Sequence, residues 1–405
     1  MSYSMANSIN FSDFLIDQSW DHHTYALENV RSCHIETALG REGKGGFKDL
    51  LALLSPLAGE KYLEELAQLS HSITRRRFGK AIRLFAPLYL SNECNNVCDY
   101  CGFSMNNKIA RKTLSDAEIL REAGILKRLG FDHVLLVTGE SSTKVGVDYL
   151  AHALNLLRPY FANLSIEVQP LDTDSYQSLV KHGMHAVMVY QETYNPKSFA
   201  KHHLKGKKTN FEWRLDTADR LGKACVNKIG LGCLFGLTEE WRTDALYAGM
   251  HLDYLEKKYW KTSYSMSFPR IRPYEGENIV AVDIKDRDLV QLICAFRIFN
   301  HELEITLSTR ESQRLRENLL PLGVTTMSAG SKTNPGGYGE EDQSLEQFSV
   351  SDDRSPHEIS TLLKTMGYDP VWKDWDLSYD MHRKTAKKDS ALQNEQVPES
   401  LLMAN

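Results

Sequence analysis

Short apolar runs alternate with longer amphipathic segments through the middle of this 405-residue chain, and this alternation limits its fold more than any other feature. Such runs predict buried strands, and the segments between them have helical length and often contain glycine. Eight strand–helix units over roughly 250 residues match a closed parallel barrel, whereas an open doubly wound sheet usually needs fewer strands. The sequence therefore predicts an α/β fold of the (β/α)8 TIM-barrel type. The predicted strands are residues 84–90, 134–137, 164–168, 186–190, 228–231, 264–268, 305–307 and 324–327.

Different patterns flank this alternation and predict further regions around the barrel. Residues 1–80 are predicted to form an N-terminal helical extension, and residues 81–328 the barrel itself. Residues 329–383 are predicted to form a C-terminal lid, because a stretch of small residues is followed by a helix capped at Ser355. Residues 384–405 have little apolar content, which predicts a flexible tail.

Charge and hydropathy exclude several classes of partner. The formal net charge of −5 gives no reason to expect a nucleic acid or an anionic membrane as the partner. No stretch approaches the roughly 18 to 20 apolar residues of a spanning helix, and the polar start lacks the pattern of a signal peptide. We therefore expect a cytoplasmic protein that acts on a small molecule or another protein.

Polar and reactive residues follow the predicted strands at the point where each strand ends. In a (β/α)8 barrel the carboxyl ends of the strands form the face that carries active sites. Because one such group follows each of the eight strands, we expect the groups to meet at the barrel mouth. In chain order they are Cys94, Cys98 and Cys101; Gly139 and Glu140; Gln169; Gln191 and Glu192; Gly232 and Cys233; Arg270; Arg310; and Ser328 and Ser331.

Three of the seven cysteines, Cys94, Cys98 and Cys101, lie within one short segment. An odd total with one dense group argues against a disulfide framework, and the four isolated cysteines are expected to be core residues. The segment can wrap around a [4Fe-4S] cubane, whose fourth iron three thiolates leave open. A structural zinc is the alternative, but it needs a fourth Cys or His, and none is suitably spaced nearby. The triplet therefore predicts a cluster with one open iron.

The segment Cys94-Asn-Asn-Val-Cys98-Asp-Tyr100-Cys101, with an aromatic residue before the third cysteine, resembles the signature of radical S-adenosylmethionine enzymes. The resemblance implies that S-adenosylmethionine binds the open iron through its amino and carboxylate groups. It also implies that one electron from the reduced cluster cleaves the cofactor to methionine and a 5′-deoxyadenosyl radical. That radical would then remove a hydrogen from the substrate.

The resemblance further implies which residues contact S-adenosylmethionine. Val137-Thr-Gly139-Glu140 is similar to the family's Gly-Gly-Glu element, whose backbone receives the cofactor's amino group, with threonine in place of the first glycine. Other positions correspond to places where relatives bind ribose, the methionyl carboxylate and adenine. These positions are Glu167, Gln169, Arg214 and Gly232.

Two aromatic residues beside the cysteines, Tyr100 and Phe103, are expected to pack against adenine. Core packing is the alternative for both. For the polar candidates at the mouth, the alternative is an ordinary hydrogen bond or a helix cap.

A larger set of motifs resembles the tyrosine lyases of bacterial thiamine biosynthesis, over about residues 50–376. Similarity implies that L-tyrosine is cleaved between Cα and Cβ to dehydroglycine (2-iminoacetate) and 4-cresol, alongside 5′-deoxyadenosine and methionine. It also implies a reductant such as flavodoxin or ferredoxin, and a complex with thiazole synthase, which consumes the transient product. The matching segments are residues 87–92 (PLYLSN), 307–311 (LSTRE), 327–333 (MSAGSKT), 335–338 (PGGY) and 370–375 (PVWKDW).

The substrate of such an enzyme is a free amino acid, whose carboxylate needs an anchor. Arg310 offers the planar donor fork suited to a carboxylate, and the resemblance implies the same use. Ser328 and Ser331 offer hydroxyl groups that can bond the carboxylate or the amine, with an ordinary turn as the alternative.

Three other functions use part of these motifs. The maturase that makes carbon monoxide and cyanide from tyrosine carries an additional C-terminal cysteine set, whereas no cysteine follows Cys294 here. Tryptophan lyase has a similar barrel and carboxylate arginine, although the overall match favours tyrosine. A non-catalytic iron–sulfur scaffold or redox protein would use the three cysteines but would not need Arg310 or a sealed barrel.

Overall fold

The structure is a computed structural model, which describes residues 9–43, 45–274, 281–339 and 346–374. Its helices in these ranges are α1 Phe11–Ile16, α2 Trp20–Glu28, α3 Ser32–Leu39, α4 Phe47–Leu54, α5 Pro56–Lys61, α6 Leu63–Phe78, α7 Asp116–Arg128, α8 Val147–Leu157, α9 Thr173–Lys181, α10 Pro196–His202, α11 Phe211–Leu215, α12 Thr217–Lys223, α13 Trp241–Lys258, α14 Asp286–Phe299, α15 Gln313–Leu319 and α16 Pro356–Thr365, with short 3-10 turns at Lys207–Thr209 and Leu320–Leu322. Its strands are β1 Ala81–Ser91, β2 Val97–Cys98, β3 His133–Thr138, β4 Asn163–Glu167, β5 Met184–Met188, β6 His203–Lys205, β7 Lys228–Gly232, β8 Ser263–Ser267, β9 Glu304–Leu307, β10 Thr326–Ser328 and β11 Asp369–Val371.

Eight parallel strands close into a barrel, so the predicted (β/α)8 fold is confirmed. The strands follow one another in the order β1, β3, β4, β5, β7, β8, β9 and β10, and β10 pairs back with β1. At this closure Arg83 lies opposite Thr326, and Phe85 lies opposite Ser328. Each of the eight predicted strands is present, with ends that differ by at most a few residues from the predicted ones. Helices cover the outside of the barrel, as the alternating pattern requires.

The N-terminal helices pack on the outer barrel helices through close contacts. Leu50 in α4 is fully buried, and a Cβ atom on Gly249 in α13 would lie 2.1 Å from its Cδ2 atom. Burial of a leucine side chain stabilises the fold by roughly 1.5 to 3 kcal/mol. An alanine at position 249 would force this contact apart and lose part of that stabilisation.

The first described helix, α1, is also tied to the barrel. The ring of Phe11 is fully buried and stacks on His251 with ring centroids 4.0 Å apart. The backbone N–H groups of Phe11 and Ser12 donate to the carboxylates of Asp219 and Asp216, at 2.9 and 3.0 Å. Within the described part of the chain, no helix is long and apolar enough to cross a membrane.

The C-terminal segment returns to the amino ends of the barrel strands after passing the mouth. Strand β11 adds to the barrel sheet parallel to the start of β1. Just beyond it, the carboxylate of Asp374 enters a buried group of charges that we call the floor cluster, formed by Arg83, Lys228, Glu304 and Asp374. The Arg83 Nη1 atom lies 2.7 Å from Glu304 Oε1 and 2.9 Å from Asp374 Oδ1. The Lys228 Nζ atom lies 2.7 Å from Glu304 Oε2 and 2.5 Å from Asp374 Oδ2.

The described part of residues 329–383 therefore has two locations. Gln347 and Phe348 border the cavity at the mouth, where a lid would lie. Helix α16 and β11 run to the opposite end, where Asp374 closes the floor. The predicted tail, residues 384–405, lies outside the described residues.

Candidate active site

The cysteine loop follows β1 and is held by two other parts of the chain. Cys98 lies in β2, which pairs antiparallel with β6. The N–H group of Gly102 donates to the carbonyl oxygen of Gln347 at 3.0 Å. A Cβ atom on Gly102 would lie 2.5 Å from the carbonyl oxygen of Glu346, so a larger residue would push the two segments apart. The loop and the C-terminal segment therefore hold each other in place.

The three predicted cluster ligands, Cys94, Cys98 and Cys101, are free thiols in this loop. Burial raises the pKa of all three thiols, to about 11 for Cys101. The positive charge of Lys208 acts in the opposite direction on each of them and favours the thiolate form. The side-chain amide of Gln347 lies 3.8 Å from the sulfur of Cys101. Buried sulfur ligands beside a cation and an amide donor suit an anionic iron–sulfur cluster.

The donor set of the loop is three closely spaced thiols, which is the set that a [4Fe-4S] cluster with one open iron takes. Within the described residues, no three His, Cys, Asp or Glu side chains converge as the ligands of a single metal ion do. A cubane instead spreads its thiolates over different irons, and three thiolates leave its fourth iron open. The loop therefore fits a [4Fe-4S] cluster.

Four buried charges lie beside the cysteine loop, and we call them the mouth network: Glu140, Glu192, Lys208 and Arg214. The guanidinium of Arg214 lies 2.8 Å from Glu140 Oε1 and 3.3 Å from Glu192 Oε1. Lys208 Nζ lies 2.7 Å from the same oxygen of Glu192. Burial alone would raise the pKa of both carboxyl groups, but the two cations hold each pKa below its ordinary value. The network therefore carries two negative and two positive charges at neutral pH.

Asn96 connects the mouth network to the cysteine loop. Its side-chain N–H donates to Glu140 Oε2 at 2.8 Å, and its side-chain oxygen accepts the backbone N–H of Lys208 at 3.1 Å.

Glu192 has a backbone φ of 71°, which is strained for a residue other than glycine by about 1 to 3 kcal/mol. The two cations that bind its carboxylate hold the residue in this conformation.

A cavity opens at the carboxyl ends of the barrel strands, where a (β/α)8 barrel carries its active site. Cys101 forms part of its wall, so a ligand in the cavity lies beside the cluster loop. Seven of the residues predicted at the mouth line it, namely Tyr100, Cys101, Glu167, Glu192, Arg310, Ser328 and Ser331.

Arg310 lies in this cavity without an ion-pair partner among the described residues. Its guanidinium carbon lies 3.4 Å from the centroid of the Phe348 ring, an arrangement that fixes the plane of the group. Burial lowers the pKa of Arg310, and nearby anionic groups, including Glu167, act in the opposite direction. A buried guanidinium that is already oriented and not yet neutralised is suited to receive a carboxylate.

The two predicted serines differ in their available bonds. The hydroxyl oxygen of Ser328 already accepts the backbone N–H of Thr309 at 3.1 Å. The hydroxyl of Ser331 is buried and has no hydrogen-bond partner among the described residues. Ser331 is therefore the serine whose hydroxyl is free to bind a ligand in the cavity.

Glu167, at the end of β4, lines the cavity as an isolated carboxyl group. Burial raises its pKa to about 7, and the positive charge of Arg310 acts against this rise. No described side chain hydrogen-bonds the carboxyl group. It is therefore able to exist as a neutral acid or a carboxylate near neutral pH, and to accept or donate a bond to a ligand.

Several other predicted residues lie outside the cavity wall. Cys94, Cys98, Glu140 and Arg214 are joined behind it through the loop and the mouth network. Gly139 supports the loop from below, since its N–H donates to Ser91 at 2.9 Å and a Cβ atom there would lie 2.4 Å from the Glu93 carbonyl oxygen.

Three more predicted residues lie outside the cavity wall, namely Phe103, Gln169 and Gly232. The ring of Phe103 packs edge-on against Tyr89 with centroids 5.9 Å apart. The side-chain amide of Gln169 donates to the carbonyl oxygen of Val145 at 2.8 Å. A Cβ atom on Gly232 would lie 2.4 Å from the Ser267 carbonyl oxygen, so this glycine permits two strands to approach closely.

Three residues at the site were not predicted from the sequence. Lys208 ends a lysine-rich run that has the appearance of a solvated surface. Gln347 and Phe348 lie in a segment without periodic pattern, yet Gln347 accepts the Tyr89 hydroxyl at 2.8 Å and Phe348 covers Arg310. The only sequence signal for them is their position after the last barrel strand, where a lid is expected.

Two family models match the chain. The model of the radical SAM superfamily matches residues 88–246, and the model of the biotin and thiamin synthesis associated domain matches residues 267–369. The first match contains the cysteine loop and the mouth network. The second contains Arg310, both serines and the segment that covers them.

The chain is 48% identical to 2-iminoacetate synthase of Escherichia coli (strain K12) over 366 residues, which cover 90% of this chain and 97% of that protein. Among solved structures, HydG, a maturase of the [FeFe]-hydrogenase, superposes with a TM-score of 0.84 at 29% identity, over 94% of this chain and 84% of that one. Methylornithine synthase (PylB) shares the fold, with a TM-score of 0.65 at 18% identity over 88% of this chain and 99% of that one. The chain therefore belongs to the 2-iminoacetate synthase family of radical S-adenosylmethionine enzymes.

Proposed function

We propose that this protein cleaves the Cα–Cβ bond of L-tyrosine to give 2-iminoacetate and 4-cresol, with 5′-deoxyadenosine and methionine as co-products. The observation that carries the proposal is the unpaired guanidinium of Arg310, buried beneath Phe348 in a cavity that Cys101 also lines. A free amino acid presents the carboxylate that this group lacks. Its remaining part would then extend from Arg310 into the cavity beside the cluster loop.

The cofactors of the family are a [4Fe-4S] cluster and S-adenosylmethionine. Cys94, Cys98 and Cys101 would hold three irons, and the Gly139–Glu140 backbone would face the cofactor's amino group. When bound, the pair supplies a 5′-deoxyadenosyl radical that removes one hydrogen atom from the substrate.

Glu140 itself is held in position by the mouth network. Its two carboxylate oxygens bind Arg214 and Asn96, both at 2.8 Å, so the side chain cannot turn away from the loop. The rigid network would keep the cofactor-facing backbone fixed relative to the cysteines.

Substrate binding would rest on three features of the cavity. Arg310 would bind the carboxylate through two parallel N–H bonds, and the free hydroxyl of Ser331 would bond the carboxylate or the amine. The wall contributed by Phe85, Leu135 and Tyr190 would accept the aromatic ring. Fixing both ends of the substrate orients the amine toward the cofactor, which is the main contribution a protein makes to a radical reaction.

The C-terminal segment would exclude water from the site. Gln347 bonds Tyr89 and contacts Cys101, and Phe348 lies over Arg310, so this short segment covers both the cluster loop and the carboxylate anchor. Exclusion of water protects the radical and the imine product from side reactions. Because 2-iminoacetate hydrolyses readily, we propose direct transfer to a thiazole synthase that consumes it.

The test is an anaerobic incubation of the reconstituted, dithionite-reduced protein with S-adenosylmethionine and L-tyrosine. We expect 4-cresol, 5′-deoxyadenosine and glyoxylate, the hydrolysis product of the imine, in equal amounts by chromatography. Tryptophan in a parallel reaction should give no indole-derived fragment. Cys98→Ala should give none of the three products, because the cluster loses a ligand.

Two outcomes would contradict the proposal. Production of 5′-deoxyadenosine from tyrosine without 4-cresol would keep the radical chemistry and reject the substrate. Absence of all products from a protein with a fully loaded cluster would reject the enzymatic assignment and favour an iron–sulfur scaffold.

A further inference from the structure

The proposed reaction consumes more electrons than the cluster can store. Cleavage of S-adenosylmethionine takes one electron. The hydrogen atom then passes from tyrosine to 5′-deoxyadenosine, and breaking the Cα–Cβ bond leaves a 4-hydroxybenzyl radical beside 2-iminoacetate. That radical becomes 4-cresol only on gaining a second electron and a proton from solvent. Each turnover therefore draws two electrons from an external donor, which must approach the cysteine loop.

A basic patch with exposed apolar side chains lies on the outer side of this loop. We call it the basic rim, and it consists of Lys144, Lys205, Lys207, Met105 and Leu204. All three lysines are exposed, and Leu204 and Met105 expose 61% and 39% of their surface. Clustered positive charge attracts an acidic partner, and exposed apolar side chains beside it can make the short-range contact.

The basic rim contacts the cysteine loop directly. Lys205 in β6 pairs with Val97 in β2, the residue before Cys98. The N–H group of Met105 donates to the carbonyl oxygen of Asn96, between Cys94 and Cys98, at 2.8 Å.

Glycine at position 206 permits this contact. A Cβ atom on Gly206 would lie 2.2 Å from Asn96 Oδ1 and 2.6 Å from the Asn95 carbonyl oxygen. The Nζ atom of Lys207 lies 3.4 Å from the hydroxyl of Ser142, which brings the loop that carries Lys144 to the same edge. The rim is therefore the outer layer of the cluster loop.

Positive charge is concentrated here although the whole chain is acidic. Residues 201–208 (KHHLKGKK) contain four lysines and no carboxylate, whereas the chain has a net charge of −5. Three carboxylates of this region are already engaged, since Asp99 lies 2.9 Å from His202, and Glu140 and Glu192 are bound in the mouth network. Among the residues that the structure describes, no ion pair neutralises Lys144, Lys205 or Lys207.

We propose that the basic rim is the docking surface for a small acidic protein that carries a low-potential one-electron centre. Its negative surface would be attracted by the three lysines, and its apolar contact would be made by Leu204 and Met105. This attraction would raise the rate of encounter and orient the redox centre toward the cysteine loop. This inference rests on the proposed function for one point only, the need for a second electron. The first electron is required to cleave the cofactor, whatever the substrate is.

The test uses the cluster-loaded protein and a flavodoxin, an acidic flavoprotein, as the probe. Binding is measured by titration calorimetry at low and high salt, and 4-cresol formation is measured with reduced flavodoxin and separately with dithionite. The test variant is K144E/K205E/K207E. The matched control is K80E/K181E/K364E, which has the same charge change at three exposed lysines near the amino ends of the barrel strands.

We expect the rim variant to bind flavodoxin at least about tenfold more weakly and to lose a similar factor in flavodoxin-driven turnover. Turnover with dithionite, which needs no docking, should be unchanged. The control variant should behave as the unmodified protein. High salt should weaken binding to the unmodified protein and have little further effect on the rim variant.

Equal loss of flavodoxin binding in both triple variants, or no loss in the rim variant, would overturn the proposal. If charge reversal disturbs the loop and lowers the dithionite rate, the milder K144Q/K205Q/K207Q variant must still weaken flavodoxin binding, or the proposal fails. Failure of the proposed function would be separate, since it would appear as missing 4-cresol with dithionite in the unmodified protein while the binding measurement still tests the rim.

Discussion

Each end of the barrel holds a group of four charged side chains joined by ion pairs, but the two groups are arranged differently. At the floor, Arg83 and Lys228 each contact both Glu304 and Asp374, so the charges form a closed ring of alternating sign. At the mouth, the order Glu140, Arg214, Glu192, Lys208 is an open chain. In the closed ring each charge is paired with two opposite charges of the ring, whereas the mouth leaves neighbouring charges available for ligands.

This difference shows how one fold separates stability from chemistry. A buried charge is costly unless it is paired, and removal of one partner leaves the other uncompensated. The floor cluster has no uncompensated charge and holds the C-terminal segment to the barrel. Among the described residues, Arg310 and Glu167 have no ion-pair partner inside the cavity at the mouth. This arrangement costs stability in the empty protein and would provide binding energy for a ligand.

The strongest test of this contrast is Asp374→Ala. The change leaves Arg83 and Lys228 facing only Glu304, so we expect the free energy of unfolding to fall by about 3 to 5 kcal/mol in urea titrations. Asp369→Ala, at an exposed position in β11, is the matched control and should change it by less than about 0.5 kcal/mol. Folded Asp374→Ala protein should still form 4-cresol at a normal rate per molecule. A variant of normal stability that has lost activity would mean that the floor cluster contributes to catalysis.

A second test uses the pH dependence of stability at the mouth. Because burial raises the pKa of Glu167 to about 7, the folded protein holds a proton there that the unfolded chain releases near its ordinary pKa of 4.5. The stabilising contribution is therefore complete below about pH 4.5 and is lost as the pH rises to about 7, by on the order of 3 kcal/mol.

The Glu167→Gln variant isolates this contribution from that of Asp244, whose pKa burial also raises to about 7. In the cofactor-free protein, the variant should become more stable than the unmodified protein as the pH rises from 5 to 8. Chemical denaturation across this range measures the difference. Parallel curves for the two proteins would show that Glu167 is already charged in the empty site.

A third test removes the geometry of the carboxylate anchor and keeps its charge. Arg310→Lys cannot form two parallel bonds, so we expect kcat/KM for tyrosine to fall by about a hundredfold, which corresponds to about 2.7 kcal/mol. The melting temperature should be unchanged, since no described carboxylate depends on Arg310. A large loss of stability with normal kinetics would mean that Arg310, like the floor cluster, stabilises the fold and does not bind the substrate.

The smallest expected effect is that of Ser331→Ala. Loss of one hydrogen bond to the substrate should raise KM about fivefold, which corresponds to about 1 kcal/mol. Stability should stay the same or rise, because the hydroxyl has no hydrogen-bond partner in the part of the chain that the structure describes. Ser328→Ala is the comparison, and it should lower stability because Ser328 accepts the N–H of Thr309.

The features that sequence predicts well are the local ones. A few neighbouring residues are enough to recognise the cysteine loop, the strand ends and Arg310. A strand requires a run of apolar residues, and a cluster requires closely spaced thiols. The cavity confirms that Tyr100, Cys101, Glu167 and Arg310 meet at the mouth. Their individual roles toward ligands remain predictions for the experiments above.

The features that sequence does not predict depend on distant residues. Arg83 and Asp374 are 291 positions apart, and each is a single charge in or beside an otherwise unremarkable strand. In the sequence, Lys208 is the last of a lysine-rich run of surface residues, yet its side chain turns inward to Glu192. The contact of Phe348 with Arg310 follows from the path of the chain after β10, which no periodic pattern records.

The floor cluster also sets the order in which a growing chain can complete its fold. Arg83 leaves the ribosome early and Lys228 midway, but their shared partner Asp374 is made only after the whole barrel. Until then the base of the barrel carries two cations and only one carboxylate, so the newly made barrel is incomplete even with all eight strands in place. The last described residue of the chain thus supplies the charge that completes a structure begun at its first barrel strand.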